Sequence, residues 1–197
     1  MEQCESKAGQ LKMDFLGLRN LDIITDTLRR VYRNYGIRIE IEKVDFEAAV
    51  FAKIFAAGKT NSVFQFESNG MKSMLRQFRP DCFEDLILLV AAYRPGPMQN
   101  LEDIIAIKHK RKKPVYICNG MEAILKDTYG NPVYQEQIMQ ICHQVAGFTL
   151  GEADIIRKAM GKKKLNILTD PKTNYAGKFI DGLVRAGATR QAALEYW

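Results

Sequence analysis

Residues 150–164 place five cations along one side and the end of a predicted helix. Thr149 can accept a hydrogen bond as the N-cap, and Glu152, three residues later, completes a capping box. Gly161 is predicted to follow the helix as its C′ residue. The cations either form a hydrated surface or bind phosphates, with arginine as a bidentate donor and lysines as point charges. They are Arg157, Lys158, Lys162, Lys163 and Lys164.

Lys12 and Asp14, near the N-terminal end, form a second candidate pair. Apolar residues alternate with them over residues 11–16, which predicts a short strand with both polar side chains on one face. Asp14 is then either a surface carboxylate paired with Lys12 or a metal ligand.

A run of cations over residues 108–113 holds five fixed positive charges in six positions. The run is either hydrated surface or a contact to a nucleic-acid backbone, with Lys108, Lys110 and Arg111 as the candidate side chains. Backbone contact predicts an affinity that falls steeply as salt is added.

Two predicted turns offer further contacts. Two prolines bracket a glycine within residues 93–98, which therefore form a rigid turn instead of a helix interior. Tyr93 and Arg94 either only belong to this turn or help to shape a ligand pocket. Residues 63–66 are predicted to be extended; after them, Ser68 is either an N-cap or, like Gln65, a nucleic-acid contact.

Charge and composition limit the class of protein. The net charge is +6, and residues 151–197 hold nine Lys/Arg against five Asp/Glu, which suits a polyanionic partner. The four cysteines are scattered without a C-x-x-C pair, which disfavours a structural zinc site and fits a reducing cytoplasm. The longest apolar run is too short to cross a membrane, and no secretion signal is visible at the N-terminus.

Apolar periodicity predicts a mainly α-helical fold with a short β element. Apolar residues recur every three or four positions from Leu18 to Tyr35, where Gly36 is predicted to stop the helix. Further helices are predicted at 45–57, 70–78, 81–94, 100–110, 120–127, 133–146, 150–160, 173–186 and 190–197. A lone strand needs partners for its backbone, so we expect the chain to be a piece of a longer polypeptide.

Five motifs resemble the bacterial replicative DNA polymerase III alpha subunits of the DnaE type, which are C-family polymerases. Their order and spacing match this family along nearly the whole chain. The motifs are Leu11–Leu18 (LKMDFLGL), Ser62–Met71 (SVFQFESNGM), Phe83–Met98 (FEDLILLVAAYRPGPM), Val133–Ile141 (VYQEQIMQI) and Gly151–Lys164.

The resemblance implies two regions: a palm remnant over residues 1–19, with its palm strand, and helical fingers over residues 20–197. Asp14 matches the third catalytic aspartate of the family's palm and would be a Mg²⁺ ligand. The other two have no counterpart in this chain. Lys12, Arg157 and Lys158 match residues that contact the incoming nucleotide, although the family commonly has arginine where this chain has Lys158.

The implied function of the parent protein is DNA-directed DNA synthesis from deoxynucleoside triphosphates on primer-template DNA, with two Mg²⁺ ions. It would be a cytoplasmic bacterial enzyme, and other replicase subunits such as the sliding clamp would bind parts missing here. The isolated piece is expected to be inactive. The alternative is a non-catalytic basic helical module that binds nucleic acid or a protein partner.

Overall fold

The computed structural model describes residue 13 and the ranges 15–44 and 47–197. Two compact units divide the chain, Met1–Asp45 and Phe46–Trp197. The described residues are largely helical, as predicted, but none of them belongs to a β-strand, so the short β element is not confirmed. Lys12 and Asp14 lie outside the described residues.

In the first unit, the predicted amphipathic helix is α1, Arg19–Tyr35. Gly36 ends it in the left-handed conformation (φ 67°), and the Gly36 N–H donates to the Tyr32 carbonyl at 2.9 Å. Glycine adopts this backbone conformation without steric strain, so the helix stops where the sequence predicts. A 3₁₀ turn, Ile41–Lys43, follows.

The second unit is built from short helices of three to twelve residues joined by turns and loops. Helix α2 (Ala48–Val50) continues as a π-helical turn, Phe51–Phe55, and α7 (Gln135–Gln140) continues as another, Ile141–Val145. Between and after them lie α3 (Asn69–Phe78), α4 (Phe83–Ala92), α5 (Leu101–Lys108), α6 (Met121–Leu125), α8 (Leu150–Gly161), α9 (Leu165–Leu168), α10 (Tyr175–Arg185) and α11 (Arg190–Tyr196).

Two hydrophobic clusters hold this unit together. The first joins the Phe51–Phe55 turn to α3, α4 and α5, with Leu75, Phe78 and Leu89 fully buried. The second joins α6, α7, α8, α10 and α11, around Leu183. Burying a side chain of this size contributes roughly 1.5–3 kcal/mol, so these clusters fix the position of every helix that carries a candidate site.

Three local predictions were wrong. Residues 63–66 are not extended: Val63 and Phe66 donate backbone hydrogen bonds back to Thr60 and Val63, which closes successive turns. The helix predicted to open at Asp81 instead begins after Cys82, as α4. The third error is at Gly161, which is the last residue of α8 and not its C′ residue.

Candidate phosphate-binding site

Helix α8 begins with the predicted capping box. The Glu152 N–H donates to Thr149 Oγ1 at 3.2 Å, and the Thr149 N–H donates to Glu152 Oε2 at 2.9 Å. Lys178, on α10, pairs with the same carboxylate, with Nζ at 2.9 Å from Oε1. The box and this ion pair fix the direction in which α8 leaves its cap, and with it the side chains one and two turns later.

Acid is expected to weaken this helix start. The hydrogen bond from the Thr149 backbone, and then those from Lys178 and the Thr149 hydroxyl, lower the pKa of Glu152 from 4.5 to about 2. A carboxyl group whose pKa is lowered by folding stabilises the fold at pH values above its unfolded-state pKa. This stabilisation is lost as the pH falls through its folded-state pKa. Glu152→Gln keeps the capping acceptor but removes the charge.

We therefore expect wild type to be more stable than Glu152→Gln near neutral pH, by less than about 1 kcal/mol because the pair is partly solvated. The difference should shrink as pH falls from 4.5 towards about 2. Urea unfolding at several pH values, monitored by circular dichroism, measures it. A difference that stays constant over this range would contradict the assigned role of the charge.

Arg157 and Lys158 are both held by Asp154 of the same helix. Arg157 donates to Asp154 Oδ1 from Nε at 3.0 Å and from Nη2 at 2.7 Å. The Lys158 ammonium lies 2.6 Å from Asp154 Oδ2. Contacts from Lys158, and then from Arg157, lower the pKa of Asp154. This carboxylate therefore stays ionised at neutral pH and holds the two cations side by side.

A second helix fixes the outer side of the guanidinium. Arg157 Nη1 donates to Gln135 Oε1 on α7 at 2.8 Å. Arginine has five N–H donors, and these contacts use three of them, so two remain for a ligand. A cavity of about 130 Å³ opens beside Arg157, and Tyr134, Gln135 and Met160 are part of its lining.

The fold thus brings together two motifs that are separate in sequence, Val133–Ile141 and Gly151–Lys164. Gln137 positions the first of them: its Oε1 accepts from the Val133 and Tyr134 N–H groups at 2.9 and 3.0 Å. Its Nε2 donates to Thr128 Oγ1 at 2.8 Å in the interior. These bonds determine how α7 begins after Asn131 and Pro132, a feature that the sequence left open.

The three lysines after α8 are exposed on a tight helix end. The Lys164 N–H donates to the Ala159 carbonyl at 2.8 Å and the Lys163 N–H to the Met160 carbonyl at 3.0 Å, which is a Schellman pattern. Lys163 takes the left-handed position (φ 52°) that was expected for Gly161. Lys162, Lys163 and Lys164 therefore lie on a turn at the end of the helix that carries Arg157.

Lys108 is not an exposed cation. Its side chain is 8% exposed, and Nζ lies 2.6 Å from Asp85 Oδ2 and 3.1 Å from Asp81 Oδ1. The ring of Phe78 faces the ammonium, with 5.1 Å between Nζ and the ring centroid. The prediction of Lys108 as a DNA contact needs correction, because its charge is already neutralised within the fold. Lys110 and Arg111 are exposed.

The two predicted turns, residues 63–68 and 93–98, are far from α8 in the sequence. Both contribute side chains to the first hydrophobic cluster. Ser68 is the N-cap of α3 and accepts from the Met71 N–H at 3.2 Å. Tyr93 packs on the same cluster, with its hydroxyl group so close to Gly70 that a Cβ there would collide with it. Gln65 and Arg94 are exposed, Gln65 with a left-handed backbone (φ 66°).

Asp154 and Gln135 are the site residues that sequence reasoning missed. Asp154 precedes Arg157 and Lys158 by three and four residues, the spacing at which side chains on a helix meet. This signal was available in the sequence. The contact between Gln135 and Arg157 joins two helices, so no local pattern could reveal it.

Among the described residues, one group of three possible metal ligands lies close together: Asp81, Cys82 and Asp85. The Lys108 ammonium bridges the two carboxylates and offsets part of their charge. The donors thus belong to an ion pair and do not fit a Mg²⁺ site. Asp14, the expected Mg²⁺ ligand, lies outside the part of the chain that the structure describes. Nor does any described helix have the length and apolar character needed to span a membrane.

Comparisons with known proteins agree with the resemblance. A family model of the bacterial DNA polymerase III alpha subunit finger domain matches residues 20–185. The DNA polymerase III subunit alpha of Staphylococcus aureus (strain COL) is 42% identical over 181 residues, 92% of this chain and 17% of that protein. Its counterpart in Staphylococcus epidermidis (strain RP62A) is 42% identical over 185 residues, 94% of this chain. The chain spans 17% of the length of these curated relatives.

Proposed function

Because the chain belongs to the bacterial DNA polymerase III alpha subunit family, we propose that it is the nucleotide-binding part of the fingers of a replicative DNA polymerase. Residues 20–197 would form the fingers and residues 1–19 the end of the palm. The parent enzyme would extend a primer on template DNA with deoxynucleoside triphosphates and act in the cytoplasm. Other replicase subunits, such as the sliding clamp, would bind regions beyond this chain.

The observation that carries the proposal is the arrangement of Arg157 and Lys158 on α8. Both cations are held in place before any ligand arrives, and the guanidinium keeps two donors for a phosphate. Holding a charged group in its binding geometry reduces the entropy lost on binding. Lys162, Lys163 and Lys164 would add positive charge at the end of the helix. Lys12, which lies outside the described residues, would contact the incoming nucleotide, as the resemblance implies.

Catalysis would belong to the parent and not to this chain alone. Two Mg²⁺ ions held by three aspartates, of which Asp14 is one, would activate the primer 3′-hydroxyl and neutralise the triphosphate. The other two aspartates have no counterpart here. The role of Arg157 and Lys158 would be to stabilise the negative charge that develops on the leaving phosphates. Tyr93, Arg94, Gln65 and Ser68 would line the fingers near the nascent base pair or the template.

Titration of the 197-residue chain with a deoxynucleoside triphosphate and Mg²⁺, followed by NMR, tests this assignment. We expect weak, Mg²⁺-dependent binding with shifts at the amides of α8 and at Arg157 Nε. Arg157→Gln with Lys158→Gln should weaken the affinity at least tenfold, because each charge-assisted hydrogen bond contributes roughly 1.5–3 kcal/mol. The matched control neutralises Lys126 and Lys172, two exposed lysines on other elements.

Two results would contradict the proposal. One is the absence of shifts on α8 at millimolar nucleotide, and the other is equal affinity of the double variant and its control. Nucleic-acid binding without Mg²⁺-dependent nucleotide binding would favour the alternative, a non-catalytic basic module. Primer extension by the chain alone would contradict the assignment of two catalytic carboxylates to missing regions.

A further inference from the structure

A groove lined by arginines lies at the ends of two helices of the second unit, on elements that do not carry the nucleotide site. It has a volume of about 470 Å³ and is lined by Arg76, Gln77, Arg79, Ile105, His109 and Arg111. Arg76 is in the last turn of α3, and Arg79 follows that helix directly. Arg111 comes from the turn after α5.

The two helix ends are joined by one hydrogen bond. His109 Nε2 donates to the Gln77 carbonyl at 2.9 Å. This bond satisfies a terminal carbonyl of α3 that would otherwise repel an anion. The Arg111 and Lys112 N–H groups both donate to the Ala106 carbonyl, at 2.8 and 3.2 Å, and so close the end of α5. The floor of the groove is therefore fixed by hydrogen bonds within the fold.

The three arginines are exposed, and none of them forms an ion pair with a residue in the described ranges. Two carboxylates of the adjoining segments are engaged by other cations: Asp81 by Lys108, and Asp103 by Lys112 at 2.7 Å. Glu102 lies in the cavity next to Arg111 but forms no ion pair with a described residue. Helix C-termini favour a cation, but this effect is within about 1 kcal/mol at an exposed site. It does not account for three arginines converging on one groove without a carboxylate partner.

The groove extends beyond the arginines. A second cavity of about 390 Å³ shares Gln77, Ile105 and Arg111 with it and continues along α5 to Glu102. A carboxylate at that far end disfavours a phosphate there, so the anionic part of a ligand belongs at the arginine end. Lys110 and Lys113, also exposed, flank Arg111 in the sequence. Three arginines along the groove with two further lysines beside them in the sequence fit a chain of phosphates better than a single one.

We propose that Arg76, Arg79 and Arg111 bind the phosphodiester backbone of a nucleic-acid strand at a site separate from Arg157 and Lys158. Guanidinium groups suit this ligand because they bind phosphate oxygens through paired N–H donors. The contacts are to the backbone and carry no sequence preference. The inference does not depend on the nucleotide site, since it uses different residues on different helices.

The test measures the affinity of the full 197-residue chain for a labelled oligothymidylate by fluorescence anisotropy, over a range of salt concentrations. Neutralising three phosphate contacts should reduce the slope of log affinity against log salt by about 2. We expect this reduction, and at least tenfold weaker binding at low salt, for Arg76→Gln, Arg79→Gln and Arg111→Gln together. The matched control changes Lys53, Lys126 and Lys172 to glutamine, which removes the same charge from exposed positions elsewhere.

A charge-preserving triple variant, Arg76→Lys, Arg79→Lys and Arg111→Lys, should keep the salt slope because the three positive charges remain. The proposal is overturned if the glutamine variant and its control have the same slope. It is also overturned if tripolyphosphate binds these arginines and the oligonucleotide does not, since the ligand would then be a free phosphate. All of these variants retain Arg157 and Lys158, so nucleotide-dependent shifts on α8 report on the proposed function independently.

Discussion

Replacing Lys108 with methionine should destabilise the protein by about 3–5 kcal/mol, because it leaves the carboxylate of Asp85 buried without a counter-charge. The Asp85 side chain is 3% exposed. After the substitution its remaining partners are the Tyr129 hydroxyl and the Asp81 N–H, each at 3.0 Å. Neither partner carries a positive charge. Urea unfolding monitored by circular dichroism measures the loss.

A matched control is available four residues away. Lys112 pairs with Asp103 at a similar distance, 2.7 Å, but both side chains are about half exposed. Water screens such a pair, so Lys112→Met should change the free energy of unfolding by no more than about 1 kcal/mol. Replacing Asp85 and Lys108 together by leucine and methionine should recover most of the loss. Equal effects of the two single substitutions would show that burial of the Lys108 pair does not matter.

The pH dependence gives an independent check on the same pair. Burial acts to raise the pKa of Asp85, but the hydrogen bonds from Lys108 and the Asp81 backbone outweigh it, and the pKa is lowered. Burial acts to lower the pKa of Lys108, but its contacts with Asp85 and Asp81 outweigh it and the pKa is raised.

The pair therefore gives its full stabilisation between the unfolded-state pKa values of Asp85 and Lys108, which are 3.8 and 10.5. This stabilisation is lost as pH falls through the folded pKa of Asp85 or rises through that of Lys108. In Lys108→Met, burial of Asp85 is no longer opposed by a cation. The destabilisation should therefore be largest near neutral pH and smaller in acid, where Asp85 is protonated.

Gly182→Ala is the second substitution with a large expected effect, a loss of about 3 kcal/mol or more. A Cβ at Gly182 on α10 would lie within 3 Å of three backbone atoms of Ala146. Backbone cannot rotate aside as a side chain can, so α10 and the turn after Ile141–Val145 would have to separate. That separation would open the second hydrophobic cluster around Leu183, which is fully buried.

The control for this substitution is Gly151→Ala on α8. Apart from its sequence neighbours and the backbone of its own helix, no atom lies within 4 Å of a Cβ built at Gly151. Alanine is favoured over glycine within a helix by up to about 1 kcal/mol. This variant should be neutral or slightly more stable. Thermal unfolding of the two variants side by side measures the difference, and equal midpoints would contradict the close approach of α10 to Ala146.

The sequence was sufficient to predict most helices, because their apolar residues recur every three or four positions and their ends carry recognisable caps. Gly36, Ser68 and the Thr149–Glu152 box all act as the local pattern indicates. The position of the left-handed residue after α8 was not predictable from glycine alone. Hydrogen bonds to Ala159 and Met160 place Lys163 there and leave Gly161 helical.

The charged residues were harder to interpret, because a run of cations does not reveal which of them faces inward. Lys108 follows the buried residues Ile105 and Ile104 of α5 by three and four positions. The helical spacing therefore indicated that Lys108 would be buried. Its partner Asp85 is 23 residues away, and this contact is set by packing of the helices. The same holds for the arginine groove, whose members come from the ends of two helices that are separate in the sequence.

The contact of Asp154 with both cations has a consequence for turnover under the proposed function. The ammonium of Lys158 does not wait unpaired for substrate, since a carboxylate is already 2.6 Å away. Under that function, an arriving phosphate would replace Asp154 as the partner of Lys158, so this lysine would contribute less net free energy to binding than an unpaired ammonium. When pyrophosphate leaves, Asp154 would pair with Lys158 again. Such an exchange would favour release of the product after every added nucleotide.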